Sequence, residues 1–202
     1  MPVSNQPTII LNDTPRYDFE YQWLPSKNMK WCLVTVIGAG GGGAGGESLP
    51  KGFQSSRESL NGGQGGQGMF CIFKFYPGLL DLKKPINIKV GQGGSGGEEN
   101  NVGQQGETTN FGDWLRILGG AGGIYSEGNQ YLVSQGRVLW QPIQGIKIVA
   151  YGQCGKSNIT IGTTDKKTST SQEPTTIVSA GGEGGRGGNG AHGRVVLSWE
   201  ES

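Results

Sequence analysis

The glycines of this chain come in runs whose non-glycine members stand three residues apart, and that spacing restricts the fold more than any other feature. From Gly181 the sequence reads Gly-Gly-Glu, Gly-Gly-Arg, Gly-Gly-Asn, so Glu183, Arg186, Asn189 and then His192 fall at intervals of three. Residues 62–68 repeat the pattern with Gln64 and Gln67, and residues 91–97 with Gln92 and Ser95. Three matches neither the α-helix nor the strand, but it is the turn of a polyproline-II-type helix. One edge of such a helix carries the side chains. The other two are bare glycine, so a neighbour can approach until backbone N–H and C=O groups pair between helices. A lone helix of this kind has no internal hydrogen bonds, so the expectation is a bundle. The run 38–46, interrupted only by Ala39 and Ala44, is expected at the bundle's interior. Gly40, Gly41, Gly42, Gly94, Gly184 and Gly187 are read as scaffold glycines. Collagen shares the period but needs uninterrupted Gly-X-Y with abundant proline, and these runs contain no proline. A flexible linker leaves unexplained why each run is tied to a strand.

The segments between the runs read as strands: 8–11, 17–23, 31–37, 69–76, 86–90, 146–151, 175–179 and 194–199. Several alternate apolar with polar at period two, as in Ile86-Asn87-Ile88-Lys89-Val90, the pattern of a strand with one buried face. No amphipathic helix of ten residues or more is legible. The 40 glycines and 9 prolines among 202 residues raise the question of disorder, but 5 Trp, 6 Tyr and 6 Phe supply the anchors that a disordered chain lacks. The expected fold is therefore mainly β with packed polyglycine-II helices and essentially no α-helix. It is read as one domain over residues 1–202, with residues 1–30 as N-terminal attachment strands.

Composition excludes several functions. With 17 basic and 16 acidic residues the net charge is +1, and no cluster of basic residues suits nucleic acid or an anionic membrane. Neither a membrane span nor a signal peptide is apparent, so the expected site of synthesis is a cytosol. Cys32, Cys71 and Cys154 are odd in number and widely spaced, which reads as small buried thiols rather than disulfides or a zinc site. Gly38-x-Gly40-x-x-Gly43 matches a dinucleotide fingerprint on paper, but more glycine and then Leu49-Pro50 follow where a helix must start to receive a pyrophosphate. Gly155-Lys156-Ser157 lacks the earlier glycine of a phosphate loop, since position 150 is Ala150. His192 continues the polar edge, and no nucleophile or carboxylate stands at motif spacing from it. Arg186-Gly187-Gly188 is a single RGG, and the sequons at Asn12 and Asn158 lack a secretory context. No cofactor, metal or catalytic residue is expected, and the chain reads as a non-enzyme.

The order of motifs resembles a known family. Val34-Thr35-Val36-Ile37 running into Gly38, then Ile88-Lys89-Val90-Gly91, then Thr109-Asn110-Phe111-Gly112 leading to Gly119-Gly120-Ala121, and finally residues 187–197, is similar to the glycine-rich domain of bacteriophage tail-fibre and receptor-binding proteins. The similarity spans roughly residues 17–199. It extends to the tip adhesins of T-even-like long tail fibres, although no long fibre-docking domain precedes it here. The resemblance implies a rigid glycine sandwich whose intervening loops touch a host surface receptor, an outer-membrane protein or a polysaccharide. It further implies tail-fibre or baseplate partners, assembly as a homotrimer or as one copy capping a trimer, and a place in the virion at a tail fibre or tail tip. Phe53 and Arg57 in the insert 49–61, Tyr125, Tyr131, Arg137 and Trp140 in the insert 124–144, and Lys166 and Lys167 in the insert 156–174 are the candidate receptor-binding residues, because Tyr, Trp and Arg on loops carry much recognition. The competing reading of the aromatics is that they cover the end of the bundle. A structural virion joint, cap or spike with no receptor, and an ice-binding protein, are the alternative functions.

Overall fold

A computed structural model describes residues 8–11, 19–45, 63, 65–80, 84–98, 101–124, 136–153 and 189–201. They form ten strands: β1 (Thr8–Leu11), β2 (Glu20–Trp23), β3 (Met29–Ile37), β4 (Met69–Phe75), β5 (Ile86–Lys89), β6 (Thr109–Phe111), β7 (Leu115–Leu118), β8 (Arg137–Trp140), β9 (Ile146–Gln153) and β10 (Arg194–Glu201). The one helical element among the described residues is a 3₁₀ turn at Pro77–Leu79. The fold is thus mainly β, as the period-two segments require. Two five-stranded antiparallel sheets result, with orders β1-β10-β3-β4-β9 and β2-β5-β6-β7-β8.

Alternation along each strand builds the core. In β3 the residues Cys32, Val34 and Val36 are fully buried, and Cys71, Phe73 and Phe75 of β4 and Val195 and Leu197 of β10 join them on the same face. The second sheet contributes Ile86, Ile88, Phe111, Leu115 and Ile117. Phe73 meets Phe111 edge to face at 5.1 Å between ring centroids, and Phe75 meets Phe111 likewise at 5.9 Å, so aromatic rings lock one sheet to the other.

Beyond the strands the glycine runs carry on in the same register, but their bonding repeats every three residues. Ile37 faces Phe70 in the β3–β4 ladder; the next positions outward, Gly38 and Met69, are joined N–H to O, followed by Gly41 to Gly66 and Ala44 to Gly63. Arg194 faces Ile37, and three residues outward Gly40 donates to Ala191. In the second sheet Gln104 donates to Ser95 and Glu107 to Gln92, prolonging β5–β6, while Gly103 donates to Gly123 and Gly106 to Gly120, prolonging β6–β7.

Between the strands, side chains hold the sheets apart. Between the runs there is nothing to do so, and the two layers fuse into one hydrogen-bonded body. Gly42 and Gly45 of the first layer donate to Gln104 and Asn101 of the second, whereas Gly120 and Gly123 donate to Ala39 and Gly42, and Gly94 and Gly97 to Gly40 and Gly43. Residues 38–45 are buried throughout, Ala39 and Ala44 included, with neighbours on all sides. Gly40, Gly41 and Gly42 lie in that central run and Gly94 in the run beside it. A β-carbon on Gly41 would strike the Ala121 carbonyl, one on Gly42 the Ser95 carbonyl, and one on Gly94 the Gln104 carbonyl. Gly184 and Gly187 lie outside the described residues.

The sequence reading needs two corrections. β6 and β7 are strands it did not assign, because three or four residues between glycines give too short a span for alternation to show. Arg137 and Trp140, expected on a loop, form the ends of β8, which is paired with β7 along its whole length. The expected strand 175–179 lies outside the described residues.

Candidate functional site

Each sheet is crossed by rows of directly opposed residues, and opposed residues share a face. In the second sheet one core row reads Tyr21, Ile88, Phe111, Leu115, Trp140. In the first, a core row reads Leu11, Val195, Val36, Cys71, Tyr151. Both rows end on an edge strand, β8 and β9, on the same side of the sandwich. There Trp140 and Tyr151 meet across the gap between the sheets, with ring centroids 5.7 Å apart and planes inclined at 51°. They close the open side of the core, yet Trp140 remains 41% and Tyr151 57% exposed. Trp140 thus helps to cover an opening of the sandwich core while presenting part of its ring to solvent.

The two edge strands carry further exposed apolar side chains. β9 bulges at Val149, since Ile72 pairs with Ala150 and Phe73 with Ile148, and the extra residue turns outward. Leu139 is exposed on β8. The bulge, Lys147 and Arg137 all discourage pairing of these edges with a foreign strand. Tyr and Trp rings pair an apolar body with a polar handle, and such rings are enriched at binding sites.

Arg137 stands three residues from Trp140 on a strand, and this sends it to the opposite face, opposite Leu118. The structure separates these two candidates. Phe53, Arg57, Tyr125, Tyr131, Lys166 and Lys167 lie outside the described residues. Sequence reasoning missed Tyr151: it saw 146–151 as a strand with one buried face, and nothing in Lys147-Ile148-Val149-Ala150-Tyr151 says that the strand is an edge or that it bulges.

The polar edge of the glycine bundle has a structural task. Asn189 Oδ1 accepts from the Gly96 N–H at 2.9 Å, and His192 Nδ1 from the Gly93 N–H at 2.9 Å, so acceptors three apart serve donors three apart. The His192 ring also rests edge-on against Phe19 at 5.4 Å. Thr109, fully buried, turns its hydroxyl oxygen to the Gly91 N–H at 3.0 Å. These side chains supply bonds where the bundle lacks a neighbouring backbone. Cys32 and Cys71 are free and buried, and burial pushes their thiols up to about 12 and about 11, Cys32 against a smaller lowering by the Ser198 backbone. Such thiols are poor nucleophiles and poor metal ligands. Cys154 lies outside the described residues.

No curated protein matches this chain. A family model described as a glycine-rich domain matches residues 17–194, nearly the whole span that the two sheets and the fused runs occupy, and the chain therefore belongs to the glycine-rich domain family.

Proposed function

We propose that this protein is a bacteriophage tail-fibre tip adhesin, a non-enzymatic protein of the virion that attaches to a host surface receptor. The observation that carries the reading is the Trp140–Tyr151 pair, exposed on edge strands that the fused glycine body holds rigid. Its order of glycine motifs, similar to that of tail-fibre receptor-binding proteins, adds support. In this reading the bundle supplies stiffness, which lowers the entropy lost when side chains engage a receptor. Recognition is shared by the edge aromatics and by the segments 49–61, 125–135 and 156–174, where Phe53, Arg57, Tyr125, Tyr131, Lys166 and Lys167 stand. Segment 125–135 replaces the longer insert 124–144, because β8 and the turn to β9 occupy its second half.

The test is adsorption of labelled protein to a panel of bacterial strains. Binding to a subset of strains is expected, with Trp140→Ala and Tyr151→Ala each weakening it by roughly tenfold, the effect of losing about 1 to 2 kcal/mol at a binding anchor. Replacing the three segments by short Gly/Ser loops should weaken it further while the circular dichroism spectrum stays that of the parent. If a folded variant carrying all these changes adsorbs as well as the parent, or no strain is bound, the adhesin reading fails and a structural virion joint takes its place.

A further inference from the structure

The outward faces of the two sheets differ in a way that the core does not require. On the second sheet one outward row reads Glu20, Lys89, Asn110, Arg116, Leu139, polar but for the exposed Leu139 at its edge. The matching outward row of the first sheet reads Ile10, Val196, Thr35, Ile72, Ala150. Next to it runs Arg194, Ile37, Phe70, Gly152, where the Phe70 ring lies over Gly152. On the other side lie Thr8, Ser198, Leu33, Lys74, Lys147 and then Glu200 opposite Trp31, whose ring lies 4.5 Å from the Lys74 ammonium. An antiparallel sheet with one face on the core normally turns polar residues outward, and a contiguous apolar face marks an interaction surface.

We propose that this face is the interface of a homodimer in which two copies stack their first sheets about a twofold axis parallel to β3. The order of strands makes the face self-complementary under that operation. β3 is central, so the axis maps β10 of one copy over β4 of the other, and β1 over β9. Row by row, Val196 then covers Ile72, Ile10 covers Ala150, and Thr35 and Ile37 meet their own counterparts. Arg194 falls over Phe70, a cation against an aromatic face. Glu200, held 3.4 Å from Lys30 of its own copy, falls towards the side that carries Lys74 and Lys147, one row away, so the ion pair of one copy neighbours the basic flank of the other. The opposite choice, an axis across the strands, would lay the charged end of one copy over the apolar end of the next.

The size also suits. Four strands of seven to nine residues and the four-residue β1, about 4.8 Å apart and rising about 3.4 Å per residue, make a face of at most roughly 20 by 25 Å. Two such faces withdraw on the order of 1,000 Å² from water, the lower bound of a specific interface. Trp140 and the Tyr151 side chain lie on the core face, away from the contact, although β9 itself forms its margin.

The experiment is sedimentation equilibrium of the whole chain over a hundredfold concentration range. The parent is expected to be a reversible dimer. Ile72→Lys and Val196→Glu, each placing an uncompensated charge in the contact, should each weaken dimerisation by at least about tenfold. The double variant, which sets a lysine of one copy against a glutamate of the other twice over, should recover most of the loss. Thr35→Arg, on the axis, brings like charges together and should give a monomer with the parent's circular dichroism, which keeps the test decisive if either single variant folds poorly. A parent that is monomeric or trimeric throughout, or a double variant that associates no better than the singles, overturns the proposal.

Discussion

Substituting Gly42 tests the fused glycine body most directly. A β-carbon placed there falls on the Ser95 carbonyl, close to that of Gly94 as well, and both obstacles are backbone. Restoring a van der Waals separation of about 3.5 Å requires the runs to part by more than roughly 1 Å. Gly42 accepts from Gly123 at 2.7 Å and donates to Gln104 at 2.9 Å, on neighbours that are themselves bonded to one another's flanks. Parting the two runs stretches the bonds that join them, in which Gly94 and Gly97 donate to Gly40 and Gly43, and strands buried groups, at about 1 to 3 kcal/mol each. Loss of chain freedom in the unfolded state returns about 0.4 to 1 kcal/mol for a Gly→Ala change. The net expectation for Gly42→Ala is a destabilisation of roughly 1 to 5 kcal/mol, and Gly41→Ala, blocked by the Ala121 carbonyl, should behave alike. Gly78→Ala is the control, since nothing lies within 4 Å of its added carbon. Urea unfolding followed by tryptophan fluorescence gives the comparison through the midpoint at constant slope. If Gly42→Ala and Gly78→Ala shift the midpoint equally, the runs do not pack backbone to backbone and the reasoning is wrong.

Two smaller effects follow from the polar edge and the buried thiols. Asn189→Leu removes the acceptor of the Gly96 N–H and should cost about 1 to 2 kcal/mol in the same assay, whereas an unchanged midpoint would mean that water serves that donor equally well. Burial raises the Cys71 thiol from 9.0 to about 11, so the unfolded chain ionises first and the thiol's contribution to stability, full below pH 9, is lost as pH rises towards about 11. The stability gap between the parent and Cys71→Ala should therefore narrow above pH 9. A gap constant across that range would contradict the burial. Cys32 and Cys71 should likewise react with thiol reagents only after unfolding, read by mass spectrometry of native and denatured protein.

The sequence by itself determined the local rules. Period two in 86–90 and in Val34-Thr35-Val36 is the pattern of a strand that buries one face, and glycines at period three could only satisfy their backbone groups through neighbours. Asn189 and His192 were legible as one edge for the same reason. Tertiary structure decided what no single segment encodes. Whether a strand is central or at an edge depends on its partners, so Tyr151 and Val149 read as ordinary strand residues until β9 proved to be an edge with a bulge. The three-residue and four-residue strands β6, β7 and β8 are too short for periodicity, and only pairing defines them. Arg137 and Trp140 looked like two residues of one loop; pairing with β7 sends them to opposite faces. The apolar outward face of the first sheet was equally hidden. Leu33, Ile37, Phe70, Ile72 and Val196 stand among the other apolar residues of β3, β4 and β10 with nothing local to set them apart. Which half of those apolar residues points into the core is fixed by register across the sheet, a relation between segments distant in sequence.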